Sequence, residues 1–335
     1  MDVADSFGTD TKRRPLTAGL RAEGGLVPSR TIFAEDWWLD AAAPGGWGRV
    51  EANWDGRRVG EMTFCPTRRW GFRYLGMPHL TRTMSPRLSP PAAKPATRHM
   101  LMQSIVGELV SKLPSHDRFE RALEPGCPSV QGFVHQNFAV THMFTFRSEP
   151  GTSPEAMLSG AHQEARRAIT KARRECETGA STDLDRFIRL HKAAHGKASL
   201  VNYRTLERLF EAAALRNQAQ VLTARLSDSR DVAAMVIVWD QQAVYTWLLA
   251  RDNESNHVGA SSLLSYEAMR IAYEMGRILD LDGYVTPAVG SFLTKFGLQP
   301  TVRPYVNGAS PMWQAVRCLT TALRPNRIDR HYRVG

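Results

Sequence analysis

The stretch HVGASSLLSYEAM, residues 257–269, is a run of small residues that leads directly into a helix with one apolar face. Leu263, Leu264 and Ala268 recur at the three- and four-residue spacing that places side chains on one side of a helix. A helix N-terminus offers unpaired N–H groups and the positive end of the helix dipole, so small residues there allow an anion to approach. Close packing of a helix on a sheet requires the same kind of turn, with a serine as the cap.

Strand-like runs lie on both sides of this helix. Three of them precede it at residues 220–227, 232–240 and 243–252, rich in β-branched and aromatic residues and joined by tight connections. The run RILDLDGYV that follows, at 277–285, has the nearly continuous apolar character of a buried strand. The second half of the chain is therefore predicted to form three strands, a helix and a further strand, in that order.

The first half of the chain carries its own strand and helix signals. An Asp-Gly pair at 55–56 joins two strand-like runs within residues 48–66, which is a strong local signal for a β-hairpin. The stretch from Thr83 to Pro95 is crowded with Pro, Ser and Arg, so it is predicted to be an exposed loop. The remaining predicted elements are helices at 33–42 and 99–113 and strands at 117–123 and 141–147.

A change in sequence character near residue 150 marks a predicted domain boundary. Ser153 is a suitable helix N-cap with Pro154 at the first helical position, and a basic helix is predicted from there to Cys176. Two more helices are predicted, at 183–195 behind a Thr182 cap and at 202–216. The predicted division is a flexible leader (1–30), an N-terminal domain (31–150), a C-terminal domain that contains the small-residue turn (151–309), and a C-terminal helix with a basic tail (310–335).

Length and composition narrow the class of protein. A chain of 335 residues exceeds the length of about 250 residues at which single cores stop growing, so two domains are expected. No apolar run approaches the roughly 18 to 20 residues of a membrane span, and no secretory signal is recognisable. Scattered cysteines without zinc-ligand spacing predict reduced thiols, no metal site and a cytoplasmic location. The net charge of +10 favours an anionic partner.

The order strand, strand, strand, small-residue turn, helix, strand resembles the GNAT acyltransferase superfamily. The closer similarity is to the two-domain branch that includes Fem-type peptidoglycan aminoacyltransferases and acetyltransferases of polysaccharide loci. It extends from WWLDAAAPGGW (37–47) through MPHLTRTMSPRL (77–88) to KFGLQP (295–300). The resemblance implies an α+β fold with two GNAT-like domains, each a mixed, mostly antiparallel sheet flanked by helices. A weak repeat between residues 55–64 and 228–237 fits duplicated halves and also fits a shared turn-and-strand pattern.

The small-residue turn corresponds to the GNAT loop whose backbone amides hold the pyrophosphate of coenzyme A. That loop usually has Arg or Gln, two residues, Gly, one residue, and then Gly or Ala. Gly259 matches the glycine, but Asn256 replaces the Arg or Gln and Ser261 takes the last small position. The resemblance therefore implies acyl-CoA or, as the alternative, aminoacyl-tRNA as co-substrate, with no permanently bound cofactor. The implied donor-binding residues in this turn are Asn256, His257, Val258, Gly259, Ala260 and Ser261.

Transfer of an acyl group to an amine requires a polarised donor carbonyl and a deprotonated amine held close to it. GNAT proteins polarise the carbonyl with backbone N–H groups of a splayed strand. The resemblance places these groups at residues 235–238, which include the candidate donor-binding residues Val236 and Val238.

Four residues are candidates for proton transfer. Asp280 and Asp282 lie two apart in ILDLDG and so point to the same side of a strand, where two carboxylates can raise one another's pKa and supply a base. Bonds to backbone or to a neighbouring arginine are the alternative role for both. Tyr245 and Tyr284 are candidate proton donors to the leaving group, although aromatic residues in strands also belong to the core.

Basic residues near the predicted boundary are candidates for substrate binding. Arg166, Arg167 and Lys171 make the helix after residue 150 strongly basic, and Lys295 lies in the matching segment KFGLQP. The resemblance implies that this helix lies near the junction of the two halves, where Fem-type enzymes bind phosphorylated acceptors or tRNA. A solvated helix face is the alternative interpretation.

These observations lead to three functional hypotheses. The first is an N-acyltransferase that moves an acyl group from acyl-CoA to an amino group of a sugar, peptide or small molecule. The second is an aminoacyl-tRNA-dependent, Fem-like transferase, favoured by the net charge of +10 and by Asn256. The third is a non-catalytic binding or membrane-surface module, because residues 309–323 are amphipathic and precede a basic tail. The sequence does not distinguish acyl groups, acceptors, pathways or oligomeric states.

Overall fold

A mixed sheet runs through the part of the protein that the computed structural model describes, which comprises residues 31–196, 199–253, 259–283 and 286–322. The strands are β1 Gly48–Trp54, β2 Arg57–Arg69, β3 Phe72–Gly76, β4 Arg87–Leu88, β5 Arg118–Ala122, β6 Ala139–Arg147, β7 Cys176–Ser181, β8 Ala219–Leu226, β9 Asp231–Trp239, β10 Ala243–Arg251, β11 Ile278–Gly283 and β12 Gln299–Ala309. The helices are α1 Asp36–Ala42, α2 Pro95–Ser111, α3 Val130–His135, α4 Pro154–Gly160, α5 Gln163–Glu175, α6 Leu184–His195, α7 Tyr203–Ala214, α8 Gly259–Glu274, α9 Pro287–Thr294 and α10 Pro311–Ala322.

The strands of the described residues join in one sheet with the order β1-β2-β3-β5-β12-β6-β11-β10-β9-β8-β7, and β4 pairs with β2 beside this path. The β3–β5 and β10–β11 pairs are parallel, whereas the other pairs are antiparallel. The predicted α+β class with a mixed, mostly antiparallel sheet is confirmed. The two halves share this sheet, because β12 lies between β5 and β6 and β6 pairs with β11. The predicted domain limits stay a prediction.

Several local predictions are confirmed by backbone geometry. Trp54 pairs with Arg57 across a two-residue turn, and Asp55 and Gly56 both have positive φ, at 47° and 74°. Such a turn matches the twist of the two strands, which is why Asp-Gly predicts it well. Ser153 accepts a hydrogen bond from the N–H of Ala156 at 3.1 Å, as expected of a cap.

Other predictions differ from the structure. The single basic helix predicted from Ser153 to Cys176 is two helices, because His162 is extended and its Nδ1 caps α5 by accepting from the N–H of Glu164. The N-cap of α6 is Asp183 rather than Thr182. The predicted exposed loop after residue 83 is wrong, because Thr83, Met84, Leu88 and Ser89 are buried.

Strand β9 is buried on both faces and organises the core of the second half. Met235 and Ile237 face a cluster that contains the apolar side of α8. Val236 and Val238 face the opposite cluster, which contains residues of α1, α6 and α7. The first half has its own cluster around α2 and the surrounding strands.

The last described helix, α10, lies against the first half of the chain. The ring of Trp313 packs edge-on against Phe72 and Tyr74 of β3, with centroid separations of 4.9 and 5.0 Å. No helix among the described residues is long and apolar enough to cross a bilayer. The predicted leader and the tail after residue 322 lie outside the described residues.

Candidate active site

The parallel strands β10 and β11 separate after a short paired segment. Residues 243–245 pair with 278–280, and beyond Tyr245 the described part of β10 pairs only with β9 on its other side. The β9–β10 register shifts between Thr246 and Leu248, which makes Trp247 an extra residue in β10. The separation leaves a gap between the carboxyl ends of two parallel strands, where the sheet edges of β10 and β11 are open to other partners.

Arg82 fills the base of this gap. Its side chain is 5% exposed, and its Nη2 donates to the carbonyl oxygens of Thr246 at 2.5 Å and Trp247 at 2.8 Å. The same nitrogen lies 3.0 Å from Oδ2 of Asp282 on β11. Because the bulge turns two successive carbonyl groups towards one guanidinium, Arg82 bridges the two strands where they cease to pair.

Asp280 is held as a carboxylate by a complete set of donors. Thr145 donates to its Oδ1, Arg147 Nε donates to its Oδ2 at 2.7 Å, and the N–H of Asp282 donates at 2.9 Å. Burial alone would raise the pKa of Asp280, but Arg147, Arg82 and these hydrogen bonds hold it below its ordinary value. The prediction that the paired carboxylates raise the pKa of Asp280 to make it a base is therefore wrong.

Asp282 lies at a bulge in β11 and faces two arginines. The β6–β11 register shifts between Asp280 and Gly283, and Asp282 has a left-handed φ of 74°. Its carboxylate contacts Arg82 at 3.0 Å and Nη1 of Arg303 on β12 at 3.5 Å, and its side chain is 24% exposed. Asp282 is thus the solvent-facing member of the cluster.

Tyr245 ties the start of the described chain to the sheet. Its buried hydroxyl donates to Oδ2 of Asp240 at 2.9 Å, and the same oxygen accepts from the N–H of Ile32 at 2.9 Å. Burial, aided by the charge of Asp240, raises the pKa of Tyr245 well above its ordinary value. Transfer of its proton to a leaving group would break the bond to Asp240. Tyr284 lies outside the described residues.

Gly259 is a contact point between two helices. A Cβ atom there would lie 2.4 Å from the carbonyl oxygen of Ala168 and 3.2 Å from the Cβ of Ala172, both on α5. Ala260 and Ser261 are buried, at 1% and 6% exposure. The packing role of this small-residue turn is therefore present in the structure. The other predicted donor-binding residues of the turn, Asn256, His257 and Val258, lie outside the described residues.

The splayed strand is β10 rather than β9. Val236 and Val238 are fully buried, and β9 pairs along one edge with β8 and along the other with β10. The backbone of β9 is thus committed to the sheet on both sides. The prediction that residues 235–238 polarise a donor carbonyl is wrong, because the open edge belongs to the next strand along the chain.

The predicted substrate-binding residues lie on and beside α5. Arg166, Arg167 and Lys171 are exposed on one face of this helix. Lys295 Nζ contacts Glu164 in the first turn of α5 at 2.5 Å. The structure therefore brings Lys295 to the helix that carries the other three residues, although its charge is matched by Glu164.

Sequence reasoning missed Arg82 and Arg303. Arg82 immediately precedes the stretch from Thr83 to Pro95 that is predicted to be an exposed loop, and no local pattern marks it as a buried arginine. Arg303 lies in β12, where Pro300 and Pro304 argue against a central strand because proline cannot donate to a neighbouring strand. The β-branched and aromatic residues of TVRPYV were the available signal for β12, and no local pattern there marks Arg303 as buried.

Comparison with known proteins supports the resemblance. Residues 159–283 match the family model described as an acetyltransferase (GNAT) domain. The chain is similar to FemX, with a TM-score of 0.65 and 10% identity over 85% of this chain and 94% of that chain. It is also similar to L-PGS from Bacillus licheniformis, with a TM-score of 0.52 and 11% identity over 87% and 92% of the two chains. A conserved protein of unknown function from Bacteroides thetaiotaomicron has a TM-score of 0.54 and 9% identity, over 82% and 88%. No curated protein sequence matches the chain.

Proposed function

We propose that this protein, whose residues 159–283 match the model of an acetyltransferase (GNAT) domain, transfers an acyl group to an amine at the gap between β10 and β11. The single observation that carries the proposal is the separation of these strands after Tyr245, together with the bulge at Trp247. Beyond the bulge, alternate N–H and C=O groups of β10 point away from β9, on an edge that no other strand of the described residues pairs with, and there they could bind an extended donor. Donors fixed in a sheet edge polarise an acyl carbonyl without reorganisation during the reaction.

The reaction needs the amine lone pair to attack the acyl carbon and the departing thiol or hydroxyl to gain a proton. Asp282 is the carboxylate in the gap that combines partial exposure with contact to the cluster, so we assign it the acceptance of the proton from the attacking amine. The protonated Asp282 then returns this proton to the departing thiol or hydroxyl as the bond to the acyl carbon breaks. Asp280 and Tyr245 position their neighbours, since both are buried and fully bonded. Arg82 holds the two strands apart at the base of the gap.

Two donors fit this chemistry, acyl-CoA and aminoacyl-tRNA. The exposed basic face of α5 favours the larger polyanion, because Arg166, Arg167, Lys171 and Arg174 follow one another at helical spacing around a surface cleft of about 450 Å³. Acyl-CoA stays our first candidate, because the matched domain is of the acetyltransferase type.

The donor is tested by offering both to the full chain with a panel of amines. Release of free coenzyme A thiol reports transfer from acyl-CoA, and loss of the aminoacyl bond reports transfer from charged tRNA. Turnover with acyl-CoA supports the first candidate. Turnover with charged tRNA alone supports the second and rejects the first. A folded protein that uses neither donor with any amine contradicts the proposed function.

A charge-reversal variant separates the two donors further. Replacement of Arg166, Arg167 and Lys171 by Glu is expected to abolish turnover with tRNA and to leave turnover with acyl-CoA within about twofold. The matched control replaces the exposed Arg68, Arg69 and Arg98 by Glu, which changes the net charge equally at a distant surface. Equal losses in both variants would show that net charge, rather than the face of α5, supports tRNA binding.

A further inference from the structure

We propose that Arg82 and Arg303 bind a carboxylate group of the acceptor molecule, beside the gap between β10 and β11. The identity of this molecule as the amine acceptor rests on the proposed function. The carboxylate site itself rests on the geometry of the two guanidinium groups and is tested by binding alone.

Both arginines are buried and incompletely bonded. Their side chains are 5% and 4% exposed. Among the described residues, no hydrogen-bond acceptor is within reach of Nη1 of Arg82 or of Nε and Nη2 of Arg303. Buried hydrogen-bond donors almost always have an acceptor, because leaving a buried N–H of a charged side chain unpaired destabilises the folded protein. Oδ1 of Asp282 in the same cluster is a buried acceptor without a hydrogen-bond partner in the described part of the chain. Three unpaired donors and one unpaired acceptor at one place fit a ligand that both accepts and donates hydrogen bonds.

The charges around the two arginines do not balance. Arg82, Arg147 and Arg303 contribute three positive charges, and Asp280 and Asp282 contribute two negative charges. Asp280 forms an ion pair with Arg147, and Asp282 forms ion pairs with both Arg82 and Arg303. Burial lowers the pKa of Arg82, and Asp282 and Asp280 oppose that shift. Among the five side chains in direct contact, one positive charge is in excess beside two buried guanidinium groups, although Glu124 also acts on Arg147. A bound anion would neutralise this excess.

The size of the excess distinguishes between anions. A carboxylate carries one negative charge and accepts two parallel hydrogen bonds from a guanidinium fork. A phosphate monoester carries about 1.5 to 2 negative charges at pH 7, which would leave this buried cluster negative. The cluster therefore matches a monoanionic carboxylate.

The site has an opening and a fixed wall. Asp282 is 24% exposed, so the cluster reaches solvent on that side. Gly283 forms the wall, since a Cβ there would lie 2.8 Å from Nη2 of Arg303 and 3.1 Å from the carbonyl oxygen of Phe144. A carboxylate on the two arginines would have its own amino group beside Asp282, so amino acids and their derivatives are the acceptor class that fits.

Binding is tested on the full chain with propionate and its neutral counterpart propionamide at low ionic strength. We expect millimolar propionate to raise the Tm and propionamide to leave it unchanged. Arg303→Gln should remove the response, and Gly283→Ala should weaken it by displacing the guanidinium without changing the charge. Arg118→Gln is the matched control, because Arg118 is a similarly buried arginine that is paired with Glu120 at 3.2 Å.

Three outcomes contradict the inference. The first is an equal response to propionate and propionamide, and the second is an unchanged response in a folded Arg303→Gln variant. The third is a larger response to inorganic phosphate than to propionate, which would overturn the charge match.

Where transfer is measurable, alanine should have a KM about 10- to 100-fold below that of alaninamide, the range expected for hydrogen bonds to a charged group. Arg303→Gln should remove that difference while changing kcat less. Equal KM values for the two amines would reject the acceptor assignment even if acyl transfer occurs. Propionate binding without any acyl transfer would instead support the site and reject the proposed function.

Discussion

Gly259 is the residue at which anion binding and helix packing make opposite predictions. In the anion-binding interpretation, a small residue at the start of α8 admits a phosphate. In the packing interpretation, it admits the backbone of α5, and a Cβ at position 259 would lie 2.4 Å from the carbonyl oxygen and 3.1 Å from the carbonyl carbon of Ala168. Carbon contacts are normally about 3.5 Å or longer, so Gly259→Ala requires the two helices to move apart by about 1 Å.

The expected cost is at the upper end of the range for overpacked cores, because both contacting groups belong to helix backbones. We expect Gly259→Ala to lower the free energy of unfolding by about 3 kcal/mol and the Tm by about 4 °C. Gly259→Asp adds more volume and a buried charge, so its loss should be larger. Gly160→Ala is the control, because a Cβ at position 160 meets open space at an ordinary φ.

Thermal unfolding and donor binding should be measured side by side for the three variants. In the packing interpretation, donor affinity falls only as far as folded protein is lost, and it recovers at a lower temperature where Gly259→Ala is folded. A Gly259→Ala protein with the wild-type Tm and a weakened affinity for acyl-CoA would refute the packing interpretation. That result would restore the anion-binding role of the turn.

Three further predictions concern stability. Glu61→Gln should lower the free energy of unfolding, measured in urea, by about 2 kcal/mol, because this buried carboxylate contacts Arg87 at 3.0 Å and Arg58 at 3.1 Å. The control Glu51→Gln, at a more exposed carboxylate, should lower the free energy of unfolding by less than about 0.5 kcal/mol. Burial, with a contribution from His195, lowers the pKa of His191 to about 4 in the folded protein, so the unfolded chain binds more protons below about pH 6.5 and stability should fall between pH 6.5 and 4. A Tm profile over that range should be flatter for His191→Gln and unchanged for the exposed His99→Gln, and equal profiles for wild type and His191→Gln would contradict the assignment. Removal of the residues after Ser310 should preserve cooperative unfolding, whereas removal of those after Pro300 should abolish it because β12 is lost; a folded protein in the second case would contradict the topology.

The elements that sequence reasoning identified are those whose signals are local. Asp55 and Gly56 set the conformation of their own turn, and Ser153 caps the helix that begins at the next residue. The strands around α8 are long, apolar and closely spaced, so their order resembles a known fold without knowledge of any distant contact.

The missed features depend on partners that are far away in the sequence. Arg82 contacts β10 residues more than 160 positions later, and the stretch that follows it looks like an exposed loop until that partner is known. Arg303 lies in a strand that pairs with β6 from Gln299 onward but with β5 only from Tyr305 onward. Pro300 and Pro304 therefore lie where one edge of the strand is not paired with β5, a position that proline can occupy.

The small-residue turn before α8 does not distinguish anion binding from helix packing, because that distinction also depends on a distant partner. Small residues at 259–261 fit a phosphate and fit a neighbouring helix equally well, and the choice depends on where α5 lies. Asp280 likewise becomes a poor base only because Arg147 and Thr145, on a strand from the other half, meet it at the sheet. Residue type alone identified the chemistry that was available there, and tertiary contacts determined which residues are free to perform it.

The position of β12 also orders events during protein synthesis. β6 ends at Arg147 and β12 begins at Gln299, so a ribosome adding about 5 to 20 residues per second needs about 8 to 30 s to reach the strand that belongs beside it. Throughout that interval β5 and β6 each present an unpaired edge of the kind at which chains pair wrongly or aggregate. The half of the protein that is made first is therefore the half that is finished last, and the nascent chain needs protection of those two edges until its final strand emerges.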